Sequence, residues 1–288
     1  MKKKYVLIMM ISILTIMTAC HTGNSAANVV IDVISREQGS GTRTAFEELL
    51  EINTSEETLM TDDAGIKDGN GLVATYVARN IEAVGYVSFA TLEANKEIVH
   101  GLSVDGVAPT AENVLNGSYE IARPFVAVYK EEFLSDVEKA FLEFLESAQG
   151  LQALESAETI VDYSEASSFD ASKFEGLKGN MILGGSTSTE RSIKAAAGVF
   201  TAMFPHVTYS YASTGSGSGI QNADNGTYSI GFSSRSITES ELGSGLEARV
   251  VCRDGIVFIV NKDNLVENLS SEQVRDIYLG KVKFWNEV

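Results

Sequence analysis

Cysteine is close to absent: the chain of 288 residues holds two, Cys20 and Cys252, too few for a disulfide framework. Cys252 sits among apolar neighbours, where a buried and inert thiol is expected rather than a nucleophile. Histidine is nearly as scarce, with His21, His100 and His206 offering little for a catalytic triad. No His, Cys, Asp or Glu cluster has metal-ligand spacing, so no metal is expected. There is no G-x-S-x-G elbow, no S-x-x-K, and no glycine-rich loop that ends in Gly-Lys-Ser/Thr. The inventory points to binding rather than catalysis, with no cofactor. Basic residues are short as well: 22 Lys and Arg face 39 Asp and Glu, a net charge of −17. That balance excludes nucleic acid as a partner, because gripping a phosphate backbone takes clustered Lys and Arg. A small anion is not excluded, since exposed charges are screened beyond about 8 Å and the first shell decides.

Long apolar runs are lacking too. Lys2, Lys3 and Lys4 precede an uncharged, mostly apolar stretch over residues 5–19 that meets Cys20. The stretch falls short of the ~20 residues a membrane span needs and has the shape of a signal peptide. Met17-Thr18-Ala19 ahead of the cysteine is close to the box at which bacterial lipoproteins are cleaved and acylated. Residues 1–19 are therefore expected to be a lipoprotein signal peptide, with Cys20 lipidated and residues 20–28 a tether. The chain is then anchored to the cell membrane on its extracytoplasmic face, without a span. About 260 residues remain, enough for two modest domains or one large one. Apolar residues make up 44% of the chain, so a packed core is expected.

Within that part, strands and helices alternate. Short apolar, β-branched runs occur at residues 29–34, 84–89, 125–129, 181–183, 207–211, 228–232 and 256–260. Helical periodicity lies between them: Phe46, Leu49 and Leu50; Val137, Phe141, Phe144 and Leu145; Ile193, Ala197, Phe200 and Phe204; Val274, Ile277 and Tyr278. Ser135 with Glu138 predicts a capping box for the second, which Gly150 should stop, and Ser270 with Gln273 caps the fourth. This alternation predicts an α/β architecture with mostly parallel sheets. Residues 155–178, rich in Ser, Ala, Asp and Glu, read as a solvated connector.

Three small-residue loops recur, each after a strand and before a helix. They are Arg36-Glu37-Gln38-Gly39-Ser40-Gly41-Thr42-Arg43, Gly184-Gly185-Ser186-Thr187-Ser188-Thr189 and Ser213-Thr214-Gly215-Ser216-Gly217-Ser218-Gly219. The first turn of a helix carries backbone N–H groups without internal partners and a partial positive charge. Glycine lets that backbone approach a ligand, and Ser or Thr hydroxyls add donors with little bulk. Any one such loop is more often an ordinary capped turn. Three in equivalent positions, with one arginine, describe a site for a dehydrated oxyanion.

The run SREQGSGTRTAFEELL resembles the signature of the phosphate-binding proteins of ABC transporters. So do GGSTSTERSIKAAAGVFTAMFP, YASTGSGSGIQNADNGTYSIGFSSR, DGIVFIVNKDN, LSSEQVRDIYLGKVKFWNEV, IEAVGYVSFATL and NGSYEIARPFVAVYK, which together cover most of the mature chain. Their order differs from that of the usual family member, in which the GSTS loop comes first. The resemblance therefore implies a circular permutation, with the family's ends joined through residues 155–178 and Asn28 close to Val288. It implies a two-lobed, periplasmic-binding-protein-like (type 2) fold with the ligand in the cleft. One lobe should hold residues 29–118 plus 262–288 and the other residues 119–261, with crossings near residues 122–128 and 259–263.

Carried over position by position, the resemblance assigns phosphate binding to Arg36, Ser40, Gly41, Thr42, Thr187, Ser188, Ser216 and Ser234. Ser234 and Gln38 stand where some members have acidic residues, so the acceptor for the ligand's proton must lie elsewhere, in Glu37 or a backbone carbonyl. Arg43 and Arg235 either add charge to the site or serve structure. The implied function is capture of inorganic phosphate by a monomeric receptor that delivers it to the membrane permease of an ABC importer. Alternatives are a receptor for sulfate or molybdate, or a surface phosphate sensor without a transport role.

Overall fold

A computed structural model describes residues 28–52, 59–243 and 245–288. The expected signal peptide, Cys20 and the tether up to residue 27 lie outside the described residues. The strands are β1 (Asp32–Arg36), β2 (Gly65–Lys67), β3 (Ala83–Ser88), β4 (Val99–Gly101), β5 (Ser103–Val104), β6 (Ala122–Tyr129), β7 (Gly179–Gly185), β8 (Val207–Ser213), β9 (Ile230–Ser233), β10 (Glu247–Asn261) and β11 (Asn268–Leu269). The helices are α1 (Gly41–Leu49), α2 (Asn70–Val77), α3 (Phe89–Asn95), α4 (Ala111–Leu115), α5 (Asp136–Glu146), α6 (Ala148–Glu155), α7 (Glu190–Met203), α8 (Ser216–Asp224), α9 (Glu239–Leu242) and α10 (Ser271–Tyr278).

One sheet runs in the order β2-β1-β3-β10-β6-β9-β7-β8, with β4 also on β10. Its two wings are parallel, β1 with β2 and β3 on one side and β7 with β8 and β9 on the other. The centre is antiparallel: β10 pairs with β3, β4 and β6, and β6 pairs with β9. The sheet is thus mixed rather than mostly parallel. The reason is β10, whose 15 residues run through both halves of the molecule. Its Glu247–Gly255 stretch pairs with β6, and Ile256–Val260 with β3.

Burial falls into two large apolar cores. The first gathers Phe46, Tyr86, Phe258 and Tyr278 around β1, β3 and the end of β10, with Phe46 stacked on Tyr86 at 4.2 Å between ring centroids. The second gathers Phe141, Phe144, Phe169, Phe200 and Phe204 between α5, α7 and β7. Val251 and Cys252 belong to the second core and Ile256–Val260 to the first. The passage along β10 is therefore at residues 253–255, earlier than the expected 259–263. Burial of Cys252 pushes its thiol pKa up, as suits a packing residue.

Local signals account for many element ends. Ser135 and Glu138 form a reciprocal capping box on α5, and Ser270 and Gln273 do so on α10. The stop expected at Gly150 comes sooner, at Glu146, because Ser147 turns the chain and caps α6, leaving Gly150 inside that helix. Residues 155–178 are also less solvated than expected. Ile160 forms a bridge with Arg253, and Val161 and Phe169 are buried in the second core. The two ends of the described chain lie side by side. Val30 bridges Phe284, Trp285 N–H donates to the Val29 carbonyl at 2.9 Å, and Asn286 Nδ2 donates to Asn28 Oδ1 at 3.2 Å.

Candidate functional site

β1 ends on Arg36, which is 1% exposed despite its charge. Behind it the Tyr86 hydroxyl accepts from the Arg36 backbone N–H at 3.2 Å and bonds Ser35 Oγ at 2.8 Å. Burial pushes that phenol up to about 12, so it remains a neutral support. The guanidinium is held edge-on by Glu37, with Nε and Nη2 donating to its two oxygens at 2.8 and 2.7 Å. Burial alone would raise the Glu37 carboxyl; the contact with Arg36 and the Gly69 N–H, 3.0 Å away, outweigh it and hold the group below its ordinary value.

Of the remaining guanidinium donors, Nη1 stays with its own core and Nη2 reaches across the gap. Nη1 donates to Asn70 Oδ1 at 2.7 Å and to Thr42 Oγ1 at 3.3 Å, while Nη2 donates to Thr187 Oγ1 at 3.0 Å. Thr42 Oγ1 in turn lies 2.9 Å from Ser188 Oγ. Ser40 caps α1 by accepting from the Arg43 N–H at 3.3 Å, which leaves its own hydroxyl hydrogen to donate. Gly39 turns the chain at a φ of 82°. At Gly41 a side chain has no room: a Cβ there would stand 2.7 Å from Ser234 Oγ and closer still to Ser216 Oγ. Glycine is required because the first loop presses on the third.

From the other side, Ser216 opens α8 and its Oγ accepts from the Ser234 N–H at 3.0 Å. Ser234 Oγ accepts from Ser186 Oγ at 2.8 Å and from Arg123 Nη1 at 3.3 Å. Ser188 Oγ accepts from Asn70 Nδ2 at 2.8 Å and from Arg123 Nη2 at 3.1 Å. All three loops therefore meet at one buried cluster of hydroxyl, amide and guanidinium donors. Arg36, Thr42, Thr187, Ser188, Ser216 and Ser234 are joined there by hydrogen bonds, with Gly41 packed on them and Ser40 at the same helix start. Asn70, Thr187 and Ser188 also line a groove of ≈ 510 Å³ that opens between the cores.

The remaining arginines considered from the sequence serve structure. Arg43 pairs with Glu47 at 2.7 Å and bonds the Arg36 carbonyl. Arg235 holds Glu241 through both terminal nitrogens. Gln38 is exposed. Sequence reasoning missed Asn70, Ser186 and the buried pair Arg123–Asp254. Asn70 had a signal, since Gly69-Asn70-Gly71 is a fourth small-residue loop between a strand, β2, and a helix, α2; it lacks only Ser and Thr. Arg123 had none, because its partner lies 131 residues away. Among the described residues no group of three or more His, Cys, Asp or Glu could hold a metal ion, and no helix is long and apolar enough to cross a membrane.

Comparison with known proteins bears on the family and the fold. The family described as PBP superfamily domain matches residues 19–149 and 174–288, leaving out most of the 155–178 connector. The chain is 30% identical over 279 residues to phosphate-binding protein PstS 2 of Streptococcus agalactiae serotype V, covering 95% of this chain and 93% of that one. With phosphate-binding protein PstS 2 of Streptococcus pneumoniae serotype 4 the identity is 32% over 280 residues, 94% of each chain. Among solved structures, the phosphate-binding protein of a phosphate ABC transporter from Streptococcus pneumoniae TIGR4 matches with a TM-score of 0.73 and 32% identity, over 90% of this chain and 99% of that one.

Proposed function

Since the chain belongs to the PBP superfamily and, within it, to the phosphate-binding proteins of ABC transporters, we propose that it captures inorganic phosphate in the cleft between its two cores. The bound anion is handed to the membrane permease of a phosphate ABC importer. The observation that carries this reading is the link across the cleft: Arg36 Nη2 to Thr187 Oγ1 and Thr42 Oγ1 to Ser188 Oγ, donors from separate cores converging where each is buried or half-buried. Buried hydroxyl and guanidinium donors suit a dehydrated oxyanion, whose oxygens accept several hydrogen bonds each. Phosphate is favoured over sulfate by acceptors in the same site. Asn70 Oδ1 and the Glu37 carboxylate keep lone pairs that an unprotonated sulfate oxygen cannot use.

The lobes we assign are residues 29–118 with 262–288, and residues 119–261; the two apolar cores support that division apart from Tyr119, Ile121, Ile160 and Ile256–Val260, which pack with the first. A permuted segment order relative to other members of the family is supported by the adjacency of residues 28–30 and 284–286. We read the protein as a monomeric receptor rather than an enzyme, held on the extracytoplasmic face by acylation of Cys20. Labelled palmitate should enter the protein and be lost with Cys20→Ala; incorporation into that variant would rule the anchor out.

The function is tested by calorimetric titration of the soluble mature chain, stripped of ligand, with phosphate, arsenate, sulfate and molybdate. Tight phosphate binding with weak sulfate binding is expected. A folded protein that binds none of them overturns the reading, and preference for sulfate or molybdate reassigns the ligand.

A further inference from the structure

Arg123 stands on β6 where the chain passes between the cores, and it is 3% exposed. Its register partner across the strand pair is Asp254 on β10. Nε and Nη2 donate to Asp254 Oδ2 at 3.1 and 2.8 Å, and Asp254 Oδ1 accepts from the Phe89 N–H that opens α3, at 2.9 Å. One edge of the guanidinium is thereby pinned to the scaffold. The other edge faces the site, with Nη2 on Ser188 Oγ at 3.1 Å and Nη1 on Ser234 Oγ at 3.3 Å.

These serine oxygens are crowded with donors. A hydroxyl oxygen has two lone pairs. At Ser188 they are filled by Asn70 Nδ2 and Arg123 Nη2, with Thr42 Oγ1 at contact distance besides; at Ser234 they are filled by Ser186 Oγ and Arg123 Nη1. Each serine's own hydrogen is left for a neighbouring hydroxyl, Thr42 Oγ1 at 2.9 Å from Ser188 and Ser216 Oγ at 3.4 Å from Ser234, so Arg123 places Nη1 and Nη2 on neutral oxygens where an anion's oxygens make the stronger, charge-assisted bonds. Holding the strands together does not by itself call for the pair, because the β6–β10 backbone ladder already does so and a buried ion pair is a weak source of stability. Burial also lowers the Arg123 pKa; Asp254 opposes that fall, and the charge of Arg36 adds to it. An anion between the two guanidinium groups relieves their repulsion.

Resting on the receptor reading above, we propose that Arg123 is a second guanidinium ligand of the bound anion, so that the site takes a doubly charged tetrahedral oxyanion between Arg36 and Arg123. Asp254 acts as its positioning residue.

The test exploits the fact that Arg123→Gln and Asp254→Asn break the same ion pair while only the first removes the cation. Inorganic phosphate is titrated into the wild-type chain and both variants, with Arg123→Lys as the conservative replacement and thermal melts of each ligand-free protein to report folding. Arg123→Gln is expected to weaken binding about 100-fold, from the loss of charge-assisted hydrogen bonds. Asp254→Asn, which keeps the charge and loses only its orientation, should cost about 10-fold, with Arg123→Lys falling between. Equal losses in the Gln and Asn variants overturn the proposal, because the pair then acts only by joining strands; so does unchanged binding by Arg123→Gln. Should that variant not fold, a crystal structure of the wild-type protein with phosphate decides: a nitrogen of Arg123 within hydrogen-bond distance of a phosphate oxygen supports the proposal, and a ligand shell without it overturns the proposal. Wild-type protein that binds no phosphate removes the receptor reading and this inference with it; normal wild-type binding with an unaffected Arg123→Gln removes the inference alone.

Discussion

At the scale of single residues, the site is built by making each polar group do two things. Arg36 gives Nε and one Nη2 bond to Glu37, gives Nη1 to Asn70 and Thr42 on its own side, and reaches across the cleft with the other Nη2 bond, to Thr187. Glu37 thus sets the plane of the guanidinium, and Tyr86 fixes the backbone behind it. Arg36→Ala should lower phosphate affinity about 100-fold or more, since charged hydrogen bonds of about 1.5–3 kcal/mol each are lost and Glu37 is left without its partner. Calorimetry on a variant shown to be folded measures this, and undiminished affinity would move the site elsewhere. Gly41 is the converse case, where absence of a side chain matters. Its Cβ would collide with hydroxyls that belong to the opposite core, so the methyl acts as a wedge against closure. Gly41→Ala is expected to weaken phosphate binding by roughly 5- to 150-fold, the equivalent of about 1–3 kcal/mol of overpacking. The ligand-free melting temperature should stay nearly constant if the clash arises only on closure; equal affinities for wild type and variant would show that the loops never press together.

At the scale of elements, helix starts carry most of the order. α1 and α8 begin at the site itself, and the first through Ser40 is capped by a residue of the loop that it serves. α9, only four residues long, is held differently, by the Thr238–Glu241 capping box and by Arg235. The hydrogen bond from Arg235 leads the causes that bring the Glu241 carboxyl down to about 2. Because the folded value lies below the ordinary 4.5, the unfolded chain takes up more protons between the two. The stabilisation is therefore whole above pH 4.5 and is lost as pH falls through about 2. The difference in melting temperature between wild type and Glu241→Gln should be flat from pH 7 to 5 and shrink as pH drops below 4.5. A gap that stays constant to pH 3 would show that Arg235 does not hold the carboxylate. Glu241 is a quarter exposed, so the effect is small and weakens further in high salt.

For the whole molecule, the decisive feature is that two apolar cores share β10, and β6 runs beside it along the passage. Each core packs independently, and the polar cluster lies between them rather than within either. A ligand that bonds to both is expected to bias the molecule toward closure, because those contacts exist together only when the loops meet. Addition of phosphate at 100 times its dissociation constant should stabilise the fold by about 2.7 kcal/mol. For a chain of this size that raises the melting temperature on the order of 5–10 °C. Small-angle scattering should show a smaller radius of gyration on the same addition. Scattering curves that coincide with and without phosphate, in a protein that binds it, would mean that closure is not coupled to capture.

Much of this was legible along the chain because it is decided locally. Capping boxes at Ser135 and Ser270, the periods of α1, α5, α7 and α10, and the placing of three donor loops between strand and helix all follow from residues within a few positions of each other. Other features depended on contacts between distant residues. Ser147 ended α5 early by capping the next helix, and Ile160, Val161 and Phe169 tied down a stretch whose composition reads as solvent-facing. The antiparallel centre of the sheet follows from the reach of β10, which no periodicity announces. What the sequence determined by itself was the helices α1, α5, α7, α8 and α10, most strands and the chemical type of the site, because hydrophobic period, caps and glycine-serine loops act through near neighbours. Tertiary structure alone decided that the Arg123–Asp254 pair stands at that site, since a buried cation is tolerable only beside a carboxylate brought from another strand, and folding alone sets that pairing.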